Sequence, residues 1–400
     1  MRILFITGGV PSLIAQAHVL DLIRTLSQSH EMTVICFDLG TSLETDAKDE
    51  LSKIATLKCV RLPRRSLVAR GMRSLFSFTP VAVQGYSSDV MRNAISDAMC
   101  NAEYDLVMFE QLVTGQYGHL ANGTTKILFP VDAVSRLKWQ RFRTEPNPIR
   151  KFAFLLDYRM TRRYEKRLYG EFDGVLFVSE ADVDYVTANR QADASKVFVL
   201  PLAVDTGYFN PRESRKPNEP SLVFLGNMFN YINEDAILWF HAVVWRRLRE
   251  AVSGLKLYIV GNQPSDKVNA LASNDPGVIV TGFLDDVRPP IWDATVFISP
   301  LRMGAGVKNR ILQSMAMGKA IIASPATVDG VGVTDGVQVL VAQNDGEWFS
   351  KCLSLLHDVR ERERLGREAR QYVEQRYSLA AKTAAFMEIA RRVRRTRNAV

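Results

Sequence analysis

The sequence predicts an α/β protein built from two doubly wound parallel sheets, and three observations carry that prediction. Short runs rich in Val, Ile, Leu and Phe alternate with helical patterns along nearly the whole chain; near-continuous apolar strands of this kind belong to sheets covered on both faces. The chain has 400 residues, 47% of them hydrophobic, more than one core usually serves. A stretch without periodicity, DTGYFNPRESRKPNEPS (205–221), separates two series of such runs and has the Pro, Asn, Ser and charge content of a linker.

The first series is RILFIT (2–7), TVICFD (33–38), CVRLP (59–63), DLVMFE (105–110), KILFPV (126–131), GVLFVS (174–179) and VFVLP (197–201). Its opening, MRILFITGGVPSLIAQAHVL, places one arginine before an apolar run, as a secretion signal would. The run breaks at Gly8-Gly9 and resumes with Gln16, His18 and Asp21 at helical spacing, so strand, glycine turn and helix is the better reading. The second series is LVFLGN (222–227), KLYIVG (256–261), VIVTG (278–282), TVFISP (295–300), AIIAS (320–324) and VQVLVA (337–342). The chain closes with SLAAKTAAFMEIARRVRRTR, a helix capped by Ser378, with Phe386, Ile389 and Ala390 on its apolar face. The expected division is 1–204, a linker 205–220, 221–377, and the closing helix 378–400.

No run reaches the ~18 to 20 uninterrupted apolar residues of a membrane-spanning helix. Four separated cysteines (Cys36, Cys59, Cys100, Cys352), with no CxxC pair, indicate neither a disulfide framework nor a zinc site, and a cytoplasmic protein is expected. The net charge of +8 is concentrated in the first half. Residues 51–88 hold seven Lys/Arg and no acid, and residues 136–167 hold eleven Lys/Arg against Glu145, Asp157 and Glu165. This excess points to an anionic partner. With Phe76, Phe78, Trp139, Phe142, Phe152 and Phe154 interspersed, an anionic membrane surface is the expected one, although a solvated basic helix would carry the same pattern. Nucleic acid is not expected, because no finger, RNP-like or helix-turn-helix signature is present.

Ligands of parallel sheets bind beyond the strands' carboxyl ends, which directs attention to the loops after residues 7, 131, 227, 261, 282 and 300. In SPLRMGAGVKNRILQSMAMGK (299–319), Gly304 and Gly306 let the backbone approach a ligand, and Val307-Lys308 leads into a helix whose free N–H groups favour an anion. Ile311, Leu312, Met315 and Ala316 form its buried stripe, leaving Gln313 on the other face. That glutamine could reach a ribose, or simply face solvent. Asp132 follows the fifth strand, where it could serve a ligand or cap a helix. No GxxxxGK[ST] loop, no GxGxxG after the first strand and no Ser/His/Asp or Cys/His spacing is found, which counts against ATP hydrolysis, simple dehydrogenation and triad hydrolysis. Asp182-Val183-Asp184 falls on a helix, where its two carboxylates diverge, so no metal is expected.

These segments together resemble the retaining nucleotide-sugar glycosyltransferases of the GT-B fold, family 4. The resemblance rests on RILFIT with Gly8-Gly9, YEKRLYGEFDGVLFVSEADVDYV, VFVLPLAVDTGYFNP, LVFLGNMFNYINEDAILWF, LKLYIVGNQP, VIVTGFLDDV and FISPLRMGAGVKNRILQSMAMGKAIIAS, in that order. It implies two Rossmann-like domains facing a central cleft and transfer from a nucleoside-diphosphate sugar, a co-substrate rather than a cofactor, to a glycan or polyprenyl-linked acceptor. Such work belongs to bacterial polysaccharide biosynthesis at the cytoplasmic face of the cell membrane. The resemblance also assigns roles. Gly226, Asn227 and Asn233 with Gly304, Gly306, Val307 and Lys308 would hold the diphosphate, Gly282 and Phe283 the base, and Gln313 the ribose. Gly8 and Gly9 would reach the phosphates from the acceptor side, Asp132 would lie near the reacting sugar, and Lys308 would stabilise the leaving group. The family's glutamate pair stands here as Ala305 and Gln313, and its Arg/Lys phosphate pair as Asn227 and Asn233, which leaves Lys308 most of the phosphate neutralisation. A catalytically silent nucleotide-sugar-binding or scaffold protein, or an epimerase of the same fold, stays open as an alternative.

Overall fold

The computed structural model describes residues 1–12, 16–40, 44–63, 74, 79–212, 219–303 and 307–398. The chain divides into two compact units, Met1–Pro201 with Lys382–Val400, and Leu202–Ala381. Of the residues singled out in the sequence, Arg64, Arg65, Arg70, Arg73, Phe76, Phe78, Gly304, Ala305 and Gly306 lie outside the described residues.

The first unit holds a parallel sheet in the order β3-β2-β1-β4-β5-β6-β7. Its strands are β1 Arg2–Thr7, β2 Glu31–Asp38, β3 Thr56–Arg61, β4 Leu106–Glu110, β5 Lys126–Val131, β6 Gly174–Phe177 and β7 Val197–Val199. Ile3 to Ile6, Leu106 to Phe109 and Ile127 to Phe129 are all fully buried, because helices cover both faces. The edge strand β3 behaves differently: only Val60 in it is buried, so no apolar run marks its beginning and the sequence places its start three residues late. Cys36 and Cys59, distant in sequence, stand opposite each other in the β2–β3 register with their sulfurs 3.5 Å apart. The closing helix Leu379–Asn398 buries Phe386, Ala390 and Val393, and the Ser378 hydroxyl accepts a hydrogen bond from the Ala381 N–H.

The second unit holds a parallel sheet in the order β10-β9-β8-β11-β12-β13. Its strands are β8 Ser221–Leu225, β9 Lys256–Val260, β10 Val278–Gly282, β11 Val296–Ser299, β12 Ile321–Ala323 and β13 Leu340–Val341. Residues 206–210, within the segment read as a linker, are pinned to this unit. Arg370 donates to the carbonyls of Thr206 and Phe209, Arg288 to that of Tyr208, and Trp292 to that of Asn210. Both sheets reverse their winding direction once, between β1 and β4 and between β8 and β11, and ligands of doubly wound sheets bind at such switch points. No helix among the described residues is long and apolar enough to cross a membrane.

Candidate active site

At the switch point of the second unit, β8 ends in Leu225 and the chain turns at Gly226. The Gly226 N–H donates to the Val260 carbonyl (2.9 Å) and the Met228 N–H to the Asn262 carbonyl (3.0 Å), which holds this turn against the end of β9. Gly261 lies beneath it with φ +150°, so close that a Cβ there would sit 1.7 Å from the Gly226 carbonyl oxygen. The helix Tyr231–Phe240 follows, its first turn capped by Asn230, whose side chain accepts from the Ile232 N–H.

Asn227 and Asn233, for which the resemblance implies a place at the phosphates, are engaged with this turn. The Asn233 amide donates to the Asn227 carbonyl (2.7 Å), and the Asn227 side chain accepts from the Phe229 N–H (3.0 Å). Asn233 is buried and its Oδ1 has no partner, a free acceptor that suits a ligand O–H or N–H better than a phosphate oxygen.

The charge at Gly226 comes from a residue the sequence reading passed over. Arg310, in the first turn of the helix Asn309–Ala316, donates from Nη1 to the Leu225 carbonyl (2.7 Å), and the same Nη1 lies 2.7 Å from where a Gly226 Cβ would be. The guanidinium is largely buried against the Phe224 ring. No carboxylate among the described residues pairs with it, and burial alone pushes its pKa down to about 10. Charges withdrawn from water are ordinarily paired, so a buried cation beneath a glycine turn at a switch point is ready for an exogenous anion. Lys308 occupies the N-cap position of the same helix, two residues earlier, and is half-buried. Ile311, Leu312, Met315 and Ala316 are fully buried, and Gln313 is half-buried on the flank.

The loop after β11 is fixed at both ends of its described part. Ser324 donates its hydroxyl hydrogen bond to the Leu301 carbonyl, Thr327 donates to that of Ser299, and Arg302 pairs with Asp235 (3.2 Å) on the helix that follows Gly226. Val307, where the chain is described again, is half-buried against the core. Gly282, at the end of β10, has φ +67° with open space around it, and Phe283 beyond it is 70% exposed, an aromatic face open for stacking.

In the first unit, Gly8 and Gly9 follow β1 at the switch point and are both buried. The Thr7 hydroxyl donates to the Gly9 carbonyl (2.7 Å), and a Cβ on Gly8 would lie 2.3 Å from Oε1 of Gln111, the movable end of that side chain. Asp132 follows β5 and is half-buried. Val131 before it holds φ +77°, a conformation that a β-branched residue adopts only when the surroundings force it. Asp182, in the DVD segment, accepts from Ser179 (2.8 Å) and from Arg136 (3.0 Å), which makes it a structural carboxylate.

Residues 219–358 match the family model described as glycosyl transferases group 1. An uncharacterized 44.6 kDa protein in the cps region of Klebsiella pneumoniae is 23% identical over 299 residues, covering 72% of this chain and 73% of its own. Among solved structures, a glycosyltransferase from Rickettsia africae ESF-5 is similar with a TM-score of 0.69 at 15% identity, over 98% of each chain. The Anabaena protein Alr3699/HepE, solved in complex with UDP, is similar with a TM-score of 0.66 at 12% identity, over 97% of this chain and 99% of its own. The two parallel-sheet units share the GT-B fold of these solved structures, and residues 219–358 are similar to the group 1 glycosyl transferases.

Proposed function

We propose that the protein transfers a hexose, with retention of configuration, from a nucleoside-diphosphate sugar held by the second unit to a glycan or polyprenyl-linked acceptor served by the first, in polysaccharide assembly. The observation that carries this reading is the Arg310 guanidinium, buried under the Gly226 turn without a carboxylate partner among the described residues. Arg310, Lys308 and the free N–H groups at the start of the helix Asn309–Ala316 would hold the diphosphate and stabilise its charge as the anomeric C–O bond breaks, so that protein cations supply what a divalent metal supplies elsewhere. The acceptor oxygen forms its new bond on the face the diphosphate leaves, and its proton passes to a phosphate oxygen. No protein nucleophile is needed. Gln313 would meet the ribose, Phe283 the base, and Asp132 the reacting sugar.

A thermal-shift screen across UDP-, GDP-, ADP- and CMP-sugars tests this, and the UDP complex of the similar Anabaena protein makes UDP-sugars the first to try. A donor at about a hundred times its Kd should stabilise by about 2.7 kcal/mol, which for a domain of this size raises Tm by roughly 5–10 °C. Lys308→Ala should weaken the shift and slow turnover. A protein that binds a nucleotide sugar without hydrolysis or transfer would be the silent scaffold instead.

The acceptor reading extends to an anionic membrane surface. On the helix Pro148–Gly170, Ile149, Phe152 and Leu156 are 80%, 62% and 44% exposed, and their spacing puts them on one face. Arg150, exposed, and Lys151, half-buried, flank them. Trp139, Phe142 and Phe154 contribute differently from their sequence pattern. Trp139 packs on Phe142 and Tyr158, and Phe154 lies under Arg141, so they build the helical hairpin rather than face outward. An apolar stripe with basic flanks suits the boundary between headgroups and acyl chains. The protein should sediment with phosphatidylglycerol vesicles at low salt and not with phosphatidylcholine alone, and Ile149→Asp with Phe152→Asp should release it. Equal sedimentation of the double variant would remove the stripe from the account.

A further inference from the structure

Beside Gly8-Gly9, at the carboxyl end of the first unit's sheet, lies a polar cluster with no part in the roles assigned above. Glu110, the last residue of β4, is fully buried. Its Oε2 accepts from the Gly8 N–H (3.3 Å) and from Gln16 Nε2 (3.1 Å), while its Oε1 has no hydrogen-bond partner. Two further atoms share that condition: His18 Nε2, 3.6 Å from Glu110 Oε1 and too far for a direct hydrogen bond, and Gln16 Oε1. The His18 ring lies edge-on against Phe129, and its side chain retains 18% exposure. Gln16 and Gln111 both hold left-handed backbone (φ +62° and +66°), a conformation that costs non-glycine residues energy and gathers at functional sites.

Three idle polar atoms in a buried place carry a desolvation cost that a ligand would offset. Two of them are acceptors only, Gln16 Oε1 and the Glu110 carboxylate oxygen, and the third belongs to an imidazole. The complement is a pair of O–H donors at least one of which can also accept. An ammonium group is less suited, because the Lys382 ammonium already donates to the His18 carbonyl (2.7 Å) and places a positive charge behind the cluster. One imidazole and one carboxylate, the latter already accepting a backbone N–H, fall short of the three protein ligands of a catalytic zinc site.

We infer that Gln16, His18 and Glu110 form a hydroxyl-binding pocket for the acceptor, which takes two neighbouring hydroxyls of a pyranose. The inference rests on the proposal that the first unit serves the acceptor. Glu110 Oε1 and Gln16 Oε1 accept from the two hydroxyls, and one hydroxyl oxygen bridges to His18 Nε2. The pocket thereby fixes which ring hydroxyl stays bound and which is presented for transfer.

Saturation-transfer NMR titrations with methyl glycosides of glucose, galactose, mannose and N-acetylglucosamine, and with their monodeoxy analogues, test the pocket without requiring turnover. The wild-type protein should bind at least one glycoside. Loss of either recognised hydroxyl, or Glu110→Gln, should weaken it about tenfold or more, as for any site built to hydrogen-bond a substrate hydroxyl. His18→Asn, which lacks a nitrogen at the Nε2 position, should weaken it likewise, and His18→Gln, which restores one, should recover it. A wild-type protein that binds none of these glycosides, or Glu110→Gln and His18→Asn variants that bind as wild type does, would overturn the inference and leave the cluster as a site for a resident water. The nucleotide-sugar screen run on the same samples separates the two readings: its failure counts against the donor proposal, and the glycoside titration is read on its own.

Discussion

Replacing Arg310 with alanine should lower kcat/KM for transfer or donor hydrolysis by about a hundred- to a thousandfold, the range seen when one charge-stabilising donor is removed from a dry site. The apo protein should meanwhile keep its Tm within a few degrees, and the two effects together identify the residue's role. Loss of a guanidinium that pairs with a buried carboxylate would strand that partner at a cost of about 3–5 kcal/mol. Arg310 strands none among the described residues: it donates to the Leu225 carbonyl and lies over the Phe224 ring, and burial already works against its charged form. Removing it relieves that desolvation while losing one hydrogen bond and some packing, so the terms oppose each other in the apo protein and act together against an anionic ligand. The thermal shift given by the best nucleotide sugar should therefore collapse in Arg310→Ala. Arg310→Lys should restore part of it, because a lysine supplies charge without the planar fork. Lys308→Ala should cost less than Arg310→Ala, since Lys308 is half-buried and water screens it more. An Arg310→Ala protein that melts far below wild type yet turns over normally would assign the guanidinium to the fold and remove the main support for the donor site.

Arg310 also shows why the candidate site was only partly legible. The helix Asn309–Ala316 was read through its apolar stripe and the lysine before it, and Ile311, Leu312, Met315 and Ala316 are all buried. Periodicity assigns an arginine at the second position of a helix to the polar face, and polar ordinarily means solvent. Here that face meets the neighbouring strand's end, because β8 and β11 are adjacent in the sheet although far apart in sequence. The central strands β1, β4, β5, β6, β8, β11 and β12 were legible because they are apolar runs buried on both sides, a local property. The error came at β3, an exposed edge where no apolar pattern marks the start. Glu110 was hidden for a related reason. DLVMFE reads as a strand ending in a charge, and chain-terminal charge on a strand is usually solvated. Only the approach of Gln16 and His18, at the start of the helix Ala17–Ser27, makes it a buried carboxylate with an unpartnered oxygen.

Gly261→Ala should be the most damaging single methyl group in the second unit, with a loss of about 3–5 kcal/mol, at the upper end of what point mutations cost. The new Cβ would meet the Gly226 carbonyl oxygen at 1.7 Å and the Gly226 carbonyl carbon at 2.7 Å. Both are backbone atoms, so no rotamer change relieves the contact, and the φ of +150° is itself foreign to an alanine. The turn would have to leave β9, which breaks the bonds from Gly226 N to the Val260 carbonyl and from Met228 N to the Asn262 carbonyl and carries Asn227 and Asn233 with it. The unfolding midpoint in denaturant should fall, Tm should drop by roughly 6–20 °C for a domain of this size, and nucleotide-sugar binding should vanish even at temperatures where the variant stays folded. Gly282→Ala is the control that separates geometry from glycine content. It too holds a positive φ, +67°, but nothing lies within reach of its Cβ, so it should cost only the ~1–2 kcal/mol of a left-handed alanine and should spare donor binding apart from contacts made by Phe283. Equal losses at the two glycines would mean that backbone conformation alone sets the cost. A donor site that survived Gly261→Ala would mean that the Gly226 turn does not form it.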